Sequence, residues 1–343
     1  MFVVNQWEAQ HHILKNAQQV PQVLGDAKKL FGKGARFEHH IWDVDSCYPS
    51  MPRQDIVRAM QDILDQTVAQ DRRAKRKFIL VPRNKHEKPQ WGNAYTEDVK
   101  ATHMKLEYKD MIDVLRFSLT NAVCKLGTKI IRQTKGIPQG DSLSPAVCIG
   151  TLAWYENKWM GKLTQRQRNN IKVARYLGDV LFLANCKEGD HKGIIDSYKK
   201  NCYPVGLSLE GDEGENNFLE TLMVNTGDNL ECRHRNKNAN MGTQEFYRGK
   251  HAWSYNEERH KMGAMIGTFT RIKRNSSNDD LALESVLEKV QELQTLNYTR
   301  KQCARALTYL ANKHTTDQFW QSCLSMVVDT NKTLGEIAND AHH

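Results

Sequence analysis

Lys135-Gly136-Ile137-Pro138-Gln139-Gly140-Asp141-Ser142-Leu143-Ser144-Pro145 is the stretch on which the fold turns. Two glycines in a short polar run permit close approach of the backbone to another chain or a base. Gln139 between them can hydrogen-bond along a groove. Ser144-Pro145 is a helix start, because proline is tolerated in the first turn. The apolar residues that follow carry that helix to about Trp159. Two strands around Lys129 to Gln133 lead into the turn. A simpler reading is an ordinary turn before a buried helix.

Downstream, Gln165 to Lys172 is a polar connector. Val173 to Tyr176 and Val180 to Ala184 then read as strands joined by a tight turn at Leu177-Gly178-Asp179. The result is a hairpin with an acid at its tip, although a plain Gly-Asp turn looks the same in isolation. A helix over about 192–201 follows, then strands at Gly206 to Glu210 and Phe218 to Val224. The second of these lies in Asn216-Asn217-Phe218-Leu219-Glu220-Thr221.

Upstream stands Trp42-Asp43-Val44-Asp45-Ser46-Cys47-Tyr48-Pro49-Ser50-Met51-Pro52. A strand from His40 to Val44 delivers Asp43 at its end, which suits a metal ligand. Tyr48 follows five residues later, where it can pack against the sugar of a nucleotide. Asp45 or Ser46 serving only as a helix cap is the alternative. A helix is expected over the first 30 residues and another over Asp55 to Gln66. The basic run Arg72, Arg73, Lys75, Arg76 and Lys77 precedes an apolar strand, Phe78 to Val81, then Arg83 and Lys85. A helix from Lys109 to Ala122 completes this region. From about residue 256 helical spacing dominates, with Leu281, Val286, Leu287, Val290 and Leu293 on one stripe. Asp279, Asp280, Thr299 and Thr315 or Thr316 are candidate caps. The fold class is therefore α+β, with a helical C-terminal lobe.

In order and spacing the four stretches resemble the reverse-transcriptase family. Asp43 to Tyr48 is similar to its motif A, Gly136 to Pro145 to motif B, Tyr176 to Asp179 to motif C, and Phe218-Leu219-Glu220 to the primer-grip motif E. The forms of motifs A, C and E look closest to Penelope-like and related eukaryotic retroelements. The resemblance covers roughly residues 35 to 225, with Lys75 to Lys85 resembling the basic fingers strands. It implies a right-hand palm and fingers, an antiparallel sheet with helices, followed by an all-helical thumb. The implied divisions are an N-terminal helical segment over 1–34, fingers and palm over 35–225, a connector over 226–256 and a thumb-like domain over 257–343.

The family performs template-directed nucleotidyl transfer as an RNA-directed DNA polymerase. Two Mg²⁺ or Mn²⁺ ions about 3.5–4 Å apart activate the 3′-hydroxyl and the leaving pyrophosphate. By resemblance Asp43, the Val44 carbonyl and Asp179 hold metal, and Asp43 and Asp179 are the catalytic carboxylates. Asp45, Tyr48, Gln139 and Gly140 would bind the nucleotide, Tyr48 at the steric gate against a 2′-hydroxyl. Lys75, Arg76, Arg83, Lys85, Phe218 and Leu219 would face nucleic acid. The implied partners are RNA or an RNA/DNA hybrid, deoxynucleoside triphosphates and other subunits of a ribonucleoprotein.

Motif C departs from the pattern. The family tip is Tyr-x-Asp-Asp, and its first aspartate is the shared metal ligand. Aligned on Tyr176, Gly178 occupies that place. Aligned instead as Gly-Asp-x, Asp179 keeps the first carboxylate and Val180 loses the second. A shift of one residue decides, because side chains of a strand alternate faces. Three functions stay open: a weakened RNA-directed DNA polymerase, a catalytically inactive fold retained as an RNA-binding scaffold, or an RNA-dependent RNA polymerase, against which Tyr48 argues.

Bulk composition agrees with a nucleic-acid partner. Across 343 residues Lys and Arg outnumber Asp and Glu by 49 to 40, a net charge of +9. Neutralising phosphates releases counterions, so a basic surplus favours polyanions. Hydrophobic residues make up 39%, and no run approaches the roughly 18 apolar residues of a membrane span. The first 30 residues carry neither a secretory apolar core nor a transit pattern. The eight cysteines are scattered without paired spacing. They read as buried free thiols of an intracellular reducing compartment rather than a disulfide frame.

Overall fold

Apolar periodicity sets the elements. The computed structural model describes residues 1–7, 9, 11–70, 76–93, 102–187, 189, 191–212, 214–227, 229–238 and 249–328. The first half contains α1 (Phe2–Gln6), α2 (Val20–Phe31), β1 (Phe37–Val44), α3 (Cys47–Ser50), α4 (Arg53–Gln70), β2 (Arg76–Pro82), β3 (Gln90–Asn93), β4 (His103–Glu107), α5 (Tyr108–Thr120), β5 (Val123–Leu126), β6 (Lys129–Arg132) and α6 (Ser144–Met160). There follow α7 (Gln165–Asn169), β7 (Ile171–Tyr176), β8 (Asp179–Asn185), α8 (His191–Asn201), β9 (Leu209–Glu210), β10 (Asn217–Phe218), β11 (Thr221–Thr226), β12 (Asn229–His234), α9 (Glu258–Arg274), α10 (Asp279–Thr295), α11 (Arg300–Lys313) and α12 (Gln318–Val328). The fold is thus mixed helix and sheet. No helix among the described residues is long and apolar enough to cross a membrane.

Several boundaries differ from the sequence expectation. The N-terminal helix is two pieces, α1 and α2, separated by an irregular stretch and a 3₁₀ turn at Ala17–Gln19. The connector at 165–172 contains α7, opened by a capping box in which Thr164 accepts from the Gln167 amide. The strand expected at 206–210 shrinks to β9, because Gly206 turns the chain at φ +98°. The strand expected from Phe218 breaks at Leu219, whose φ is +56°.

Two compact units emerge: residues 1–13, 42–180 and 188–212, and residues 14–41, 181–187 and 213–343. In the first, α6 is buried on nearly all sides, from Val147 through Glu156 to Trp159. A helix that is apolar all round belongs in a core. Gly150 lets it press on α4 and α1: a Cβ there would stand 3.1 Å from Met60 Sδ and 3.3 Å from Val4 Cγ2. Polar ties fix its rotation, since Trp154 Nε1 donates to Asp62 (2.8 Å) and the Tyr155 hydroxyl to Asp55 (2.6 Å). Strand β2 pairs antiparallel with both β3 and β4. Hairpin β5–β6 stands exposed along its length.

A sheet ordered β7-β8-β1-β9 carries the acid-bearing turns. At its edge β1 pairs antiparallel with β9, Asp43 opposite Glu210 and Val44 opposite Leu209.

The second unit has its own core, formed by Phe269, Ile272, Val286, Val290, Cys303, Leu307, Phe319 and their neighbours from α9 to α12. The apolar stripe expected on α10 is buried except at Leu281, which is half-buried. Thr299 caps α11 with a capping box to Gln302, as its sequence suggests. For α10 the cap is Asn278, whose side chain accepts from the Leu281 amide, and Asp279 and Asp280 occupy the first turn instead. Thr315 and Thr316 precede α12, which begins at Gln318. Three strands, β10-β11-β12, complete this unit.

Candidate active site

The site is built where β1 ends. Trp42 and Val44 are buried, so the alternation of a strand leaves Asp43 between them exposed. The chain then turns through Asp45 and Ser46. Ser46 takes φ +47° and its hydroxyl donates to Asp45 Oδ1 (3.0 Å). Helix α3 follows, carrying Cys47 and Tyr48.

The glycine turn packs directly on this helix. Ile137 N donates to the Tyr48 carbonyl (2.7 Å). Arg53 donates to the carbonyls of Gly136 (3.1 Å) and Gln133 (2.8 Å). Gly136 has φ +67°, and a Cβ there would overlap the carbonyls of Tyr48 and Pro49. Gly136→Ala is therefore expected to cost about 2 kcal/mol or more, combining left-handed strain with overpacking. A urea-denaturation midpoint indistinguishable from wild type would contradict that assignment. Gln139 and Gly140 lie exposed beyond this contact, Gly140 at φ +92°. Beneath Tyr48, Cys47 Sγ and Cys148 Sγ approach to 3.4 Å. Partial burial, with Cys148 and Cys47 nearby, pushes the Tyr48 hydroxyl up to about 12.

The β7–β8 hairpin meets the end of β1. Val44 N donates to the Gly178 carbonyl (3.0 Å). The turn residues are Leu177, at φ +54°, and Gly178, whose φ lies outside the left-handed region. Glycine is thus not required at 178 by its backbone. What stands beside it is the Asp43 carboxylate: a Cβ on residue 178 would sit 2.8 Å from Asp43 Oδ1 and 3.8 Å from the Val44 carbonyl. Position 178 faces Asp43 and carries no side chain. Asp179 opens β8 with an exposed side chain. Partial burial raises its pKa, and Asp43 adds to the rise. Asp43 is raised by partial burial and by Asp45. Both shifts mean negative charge with too little compensation, the condition a cation relieves. Asp43, the Val44 carbonyl and Asp179 are the groups at this turn that could hold a divalent ion.

Sequence reading missed what holds this hairpin. Arg175 and Glu156 are both wholly buried and form an ion pair. Arg175 also donates to the carbonyls of Leu177 (2.7 Å) and Ile149 (3.2 Å). Glu156 further accepts from the Tyr203 hydroxyl (2.9 Å) and the His12 amide (3.2 Å). Burial alone would push the Glu156 carboxyl up, but Arg175 overrules it and the group is held down at about 2. Arg175 is accordingly a positioning residue for the Leu177-Gly178 turn. The signal was present in the sequence: one charge inside the apolar run Val173-Ala174-Arg175 and one at Trp154-Tyr155-Glu156. Buried charges are found paired.

Arg83 and Lys85 are exposed after β2. Lys75 is outside the described residues, and for Arg76 only its place in β2 is described. Phe218 and Leu219 belong to the second unit. Phe218 is fully buried, so its side chain offers no surface to a nucleic acid.

This architecture is a reverse-transcriptase-like fold. It is similar to a solved structure of telomerase from Candida albicans in complex with a TWJ fragment of telomeric RNA, with TM-score 0.57 at 11% identity, covering 98% of this chain and 56% of that one. It is also similar to telomerase from Candida tropicalis in complex with a TWJ fragment of telomeric RNA, with TM-score 0.50 at 12% identity, covering 96% of this chain and 53% of that one. The chain spans a little over half the length of these neighbours. No protein-family model and no curated protein matches it. The likeness supports the fold and lends nothing to a Penelope-like placement.

Proposed function

We propose that this chain is a reverse-transcriptase-like RNA-binding protein, working within a ribonucleoprotein, in which polymerase chemistry is weakened or lost. The observation that carries the reading is the empty face of Gly178 opposite Asp43. In this reading the sheet and its helices are palm and fingers, and α9 to α12 act as a thumb. Mg²⁺ or Mn²⁺ would be held by Asp43, Asp179 and the Val44 carbonyl, where it would activate a hydroxyl and a leaving pyrophosphate. A deoxynucleoside triphosphate would lie against Asp45, Tyr48, Gln139 and Gly140. A missing contact of this kind reduces rate by about 10²–10³, so residual incorporation by Asp179 alone is slow. RNA binding rests on the basic surplus and on the likeness to structures solved with RNA.

Primer extension on poly(rA)/oligo(dT) with Mg²⁺ or Mn²⁺, beside a gel-shift assay on RNA, tests this. The expected outcome is little or no incorporation, with RNA binding that survives Asp43→Ala. Efficient incorporation that Asp43→Ala abolishes would overturn it. A second reading keeps Asp179, which opens β8 with an exposed side chain, as the acting carboxylate. If Asp179 serves as the sole partner carboxylate, Asp179→Asn removes any residual incorporation.

A further inference from the structure

Hairpin β5–β6 is a part of the first unit to which the polymerase reading gives no task. Its two strands form a sheet of their own, and every residue from Val123 to Arg132 is exposed. A two-stranded ribbon is marginal alone in water, so its anchorage matters. The base is tied down. Gln133 N donates to the Ala122 carbonyl (2.8 Å), and Gln133 Nε2 to the carbonyls of Lys135 (2.7 Å) and Ile137 (3.1 Å). Arg53 donates to the Gln133 carbonyl (2.8 Å). At the tip is a two-residue turn, Gly127-Thr128, in which Gly127 takes φ +61°.

No aspartate or glutamate stands between Asp113 and Asp141, whereas Lys125, Lys129, Arg132 and Lys135 do. None of these four has an ion-pair partner among the described residues. Other exposed cations of the same unit are paired: Arg58 with Asp55, Lys105 with Glu107 and Arg116 with Asp113. Residues directly opposite one another in a hairpin share a face. The register therefore puts Lys125 and Arg132 on one face, with Val123 and Ile130. Lys129 is on the other, with Cys124, Leu126 and Ile131. Cations stand on both faces, with apolar side chains between them. Ile130 is 79% exposed and Leu126 68%. Clustered apolar exposure of this kind marks an interaction surface.

A partner for this arm carries negative charge and presents it to both faces of a ribbon. A groove of a double helix does so, because its walls are two phosphate backbones. A single strand offers one backbone and is held largely by stacking on aromatic rings. Residues 118–140 contain no aromatic side chain. We propose that hairpin β5–β6 docks in a groove of double-helical RNA. Lys125 and Arg132 face one strand, Lys129 faces the other, and the apolar side chains lie against the riboses. The wide, shallow minor groove of A-form RNA is the one open to it, and recognition there is of shape and phosphate rather than sequence. The inference rests on the RNA-binding reading above and gives it a position and a helical form.

Cys124 supplies a test in the unaltered protein. It is exposed, whereas Cys186 is half-buried and the other six cysteines are buried. Its alkylation by a maleimide would be followed by mass spectrometry of the peptide that contains it. An RNA duplex of about 16 base pairs would be compared with oligouridine, duplex DNA and poly-L-glutamate. With the RNA duplex at about ten times its Kd, labelling of Cys124 is expected to slow about tenfold. The other three should protect far less. Fluorescence anisotropy gives the energetic readout. Lys125→Ala/Lys129→Ala/Arg132→Ala should weaken duplex binding about tenfold or more and lower the log–log salt slope by about 3. Replacing Lys192, Lys199 and Lys200 by alanine changes the net charge equally at exposed positions of α8 and should leave affinity and slope nearly intact. Duplex RNA that binds without protecting Cys124 overturns the inference while RNA binding stands. Equal protection by oligouridine, duplex DNA or polyglutamate overturns it as well. So does protection that grows with protein concentration alone, which would make a second copy the occupant. No binding of any RNA overturns the RNA-binding reading and the inference together.

Discussion

Gly178→Asp is expected to raise Mg²⁺-dependent nucleotide incorporation by about 10²–10³ over wild type. Three features favour the gain. The backbone at 178 is not left-handed, so an aspartate adopts it without the strain that bars side chains from that region. Its Cβ would land 2.8 Å from Asp43 Oδ1, too close as the atoms stand. The obstructing atom is the end of a side chain, however, and Asp43 is exposed, so it has room to rotate. The new carboxylate then faces Asp43 beside the Val44 carbonyl.

The same change carries an electrostatic cost that gives a second readout. The pKa values of Asp43 and Asp179 are already raised by partial burial and by a neighbouring acid. A third carboxylate adds like charge at a few ångströms, which lowers stability in chelator and is relieved by a divalent ion. The melting temperature of Gly178→Asp should therefore fall below wild type in EDTA and rise with Mg²⁺ or Mn²⁺. Gly178→Asn, of similar shape but uncharged, should show neither the metal-dependent rise nor the activity. If primer extension by Gly178→Asp equals that of wild type, residue 178 is not the missing ligand position.

How far the sequence reached depended on whether its signals were local. The helix start at Ser144-Pro145, the hairpin around residue 178 and the cap at Thr299 are all encoded within a few residues, and all appear in the structure. Strand β4 was not anticipated, because His103 to Glu107 is mostly exposed and carries three polar residues. It exists because β2 supplies a partner earlier in the chain, Phe78 opposite Glu107. The direction of residue 178 was undecidable from sequence for a similar reason. It depends on the bond between Val44 N and the Gly178 carbonyl, a contact between distant segments. The pairing of Arg175 with Glu156 is another case: each charge was conspicuous in its apolar surroundings, but nothing local named its partner.

Arg175→Met is expected to destabilise the fold by about 3–5 kcal/mol, because it strands a wholly buried glutamate. A buried ion pair can sometimes be replaced by apolar residues at little loss. Here the double variant Arg175→Met/Glu156→Leu should remain well below wild type. Four other groups bond to the pair: the Leu177 and Ile149 carbonyls, the Tyr203 hydroxyl and the His12 amide. The Leu177 carbonyl and the His12 amide lose their partner, at about 1 kcal/mol apiece, whereas the Tyr203 hydroxyl keeps Tyr198 (3.2 Å) and the Ile149 carbonyl stays within α6. The pH dependence separates this account from generic core damage. In wild type the Glu156 pKa is depressed from 4.5 to about 2. Its stabilising contribution is therefore complete above about pH 4.5 and fades as pH falls toward 2. Without Arg175, burial dominates and raises the same pKa, so the variant gains stability when Glu156 is protonated. The urea midpoints of wild type and Arg175→Met should lie farthest apart near neutral pH and converge as the solution is acidified. A gap that stays constant with pH would show that the charge of Glu156 is not what Arg175 sustains. The hairpin gives an independent check, since the Leu177 carbonyl loses its guanidinium donor. Amide exchange at Val44, which bonds to the Gly178 carbonyl, should accelerate in Arg175→Met more than exchange within α4.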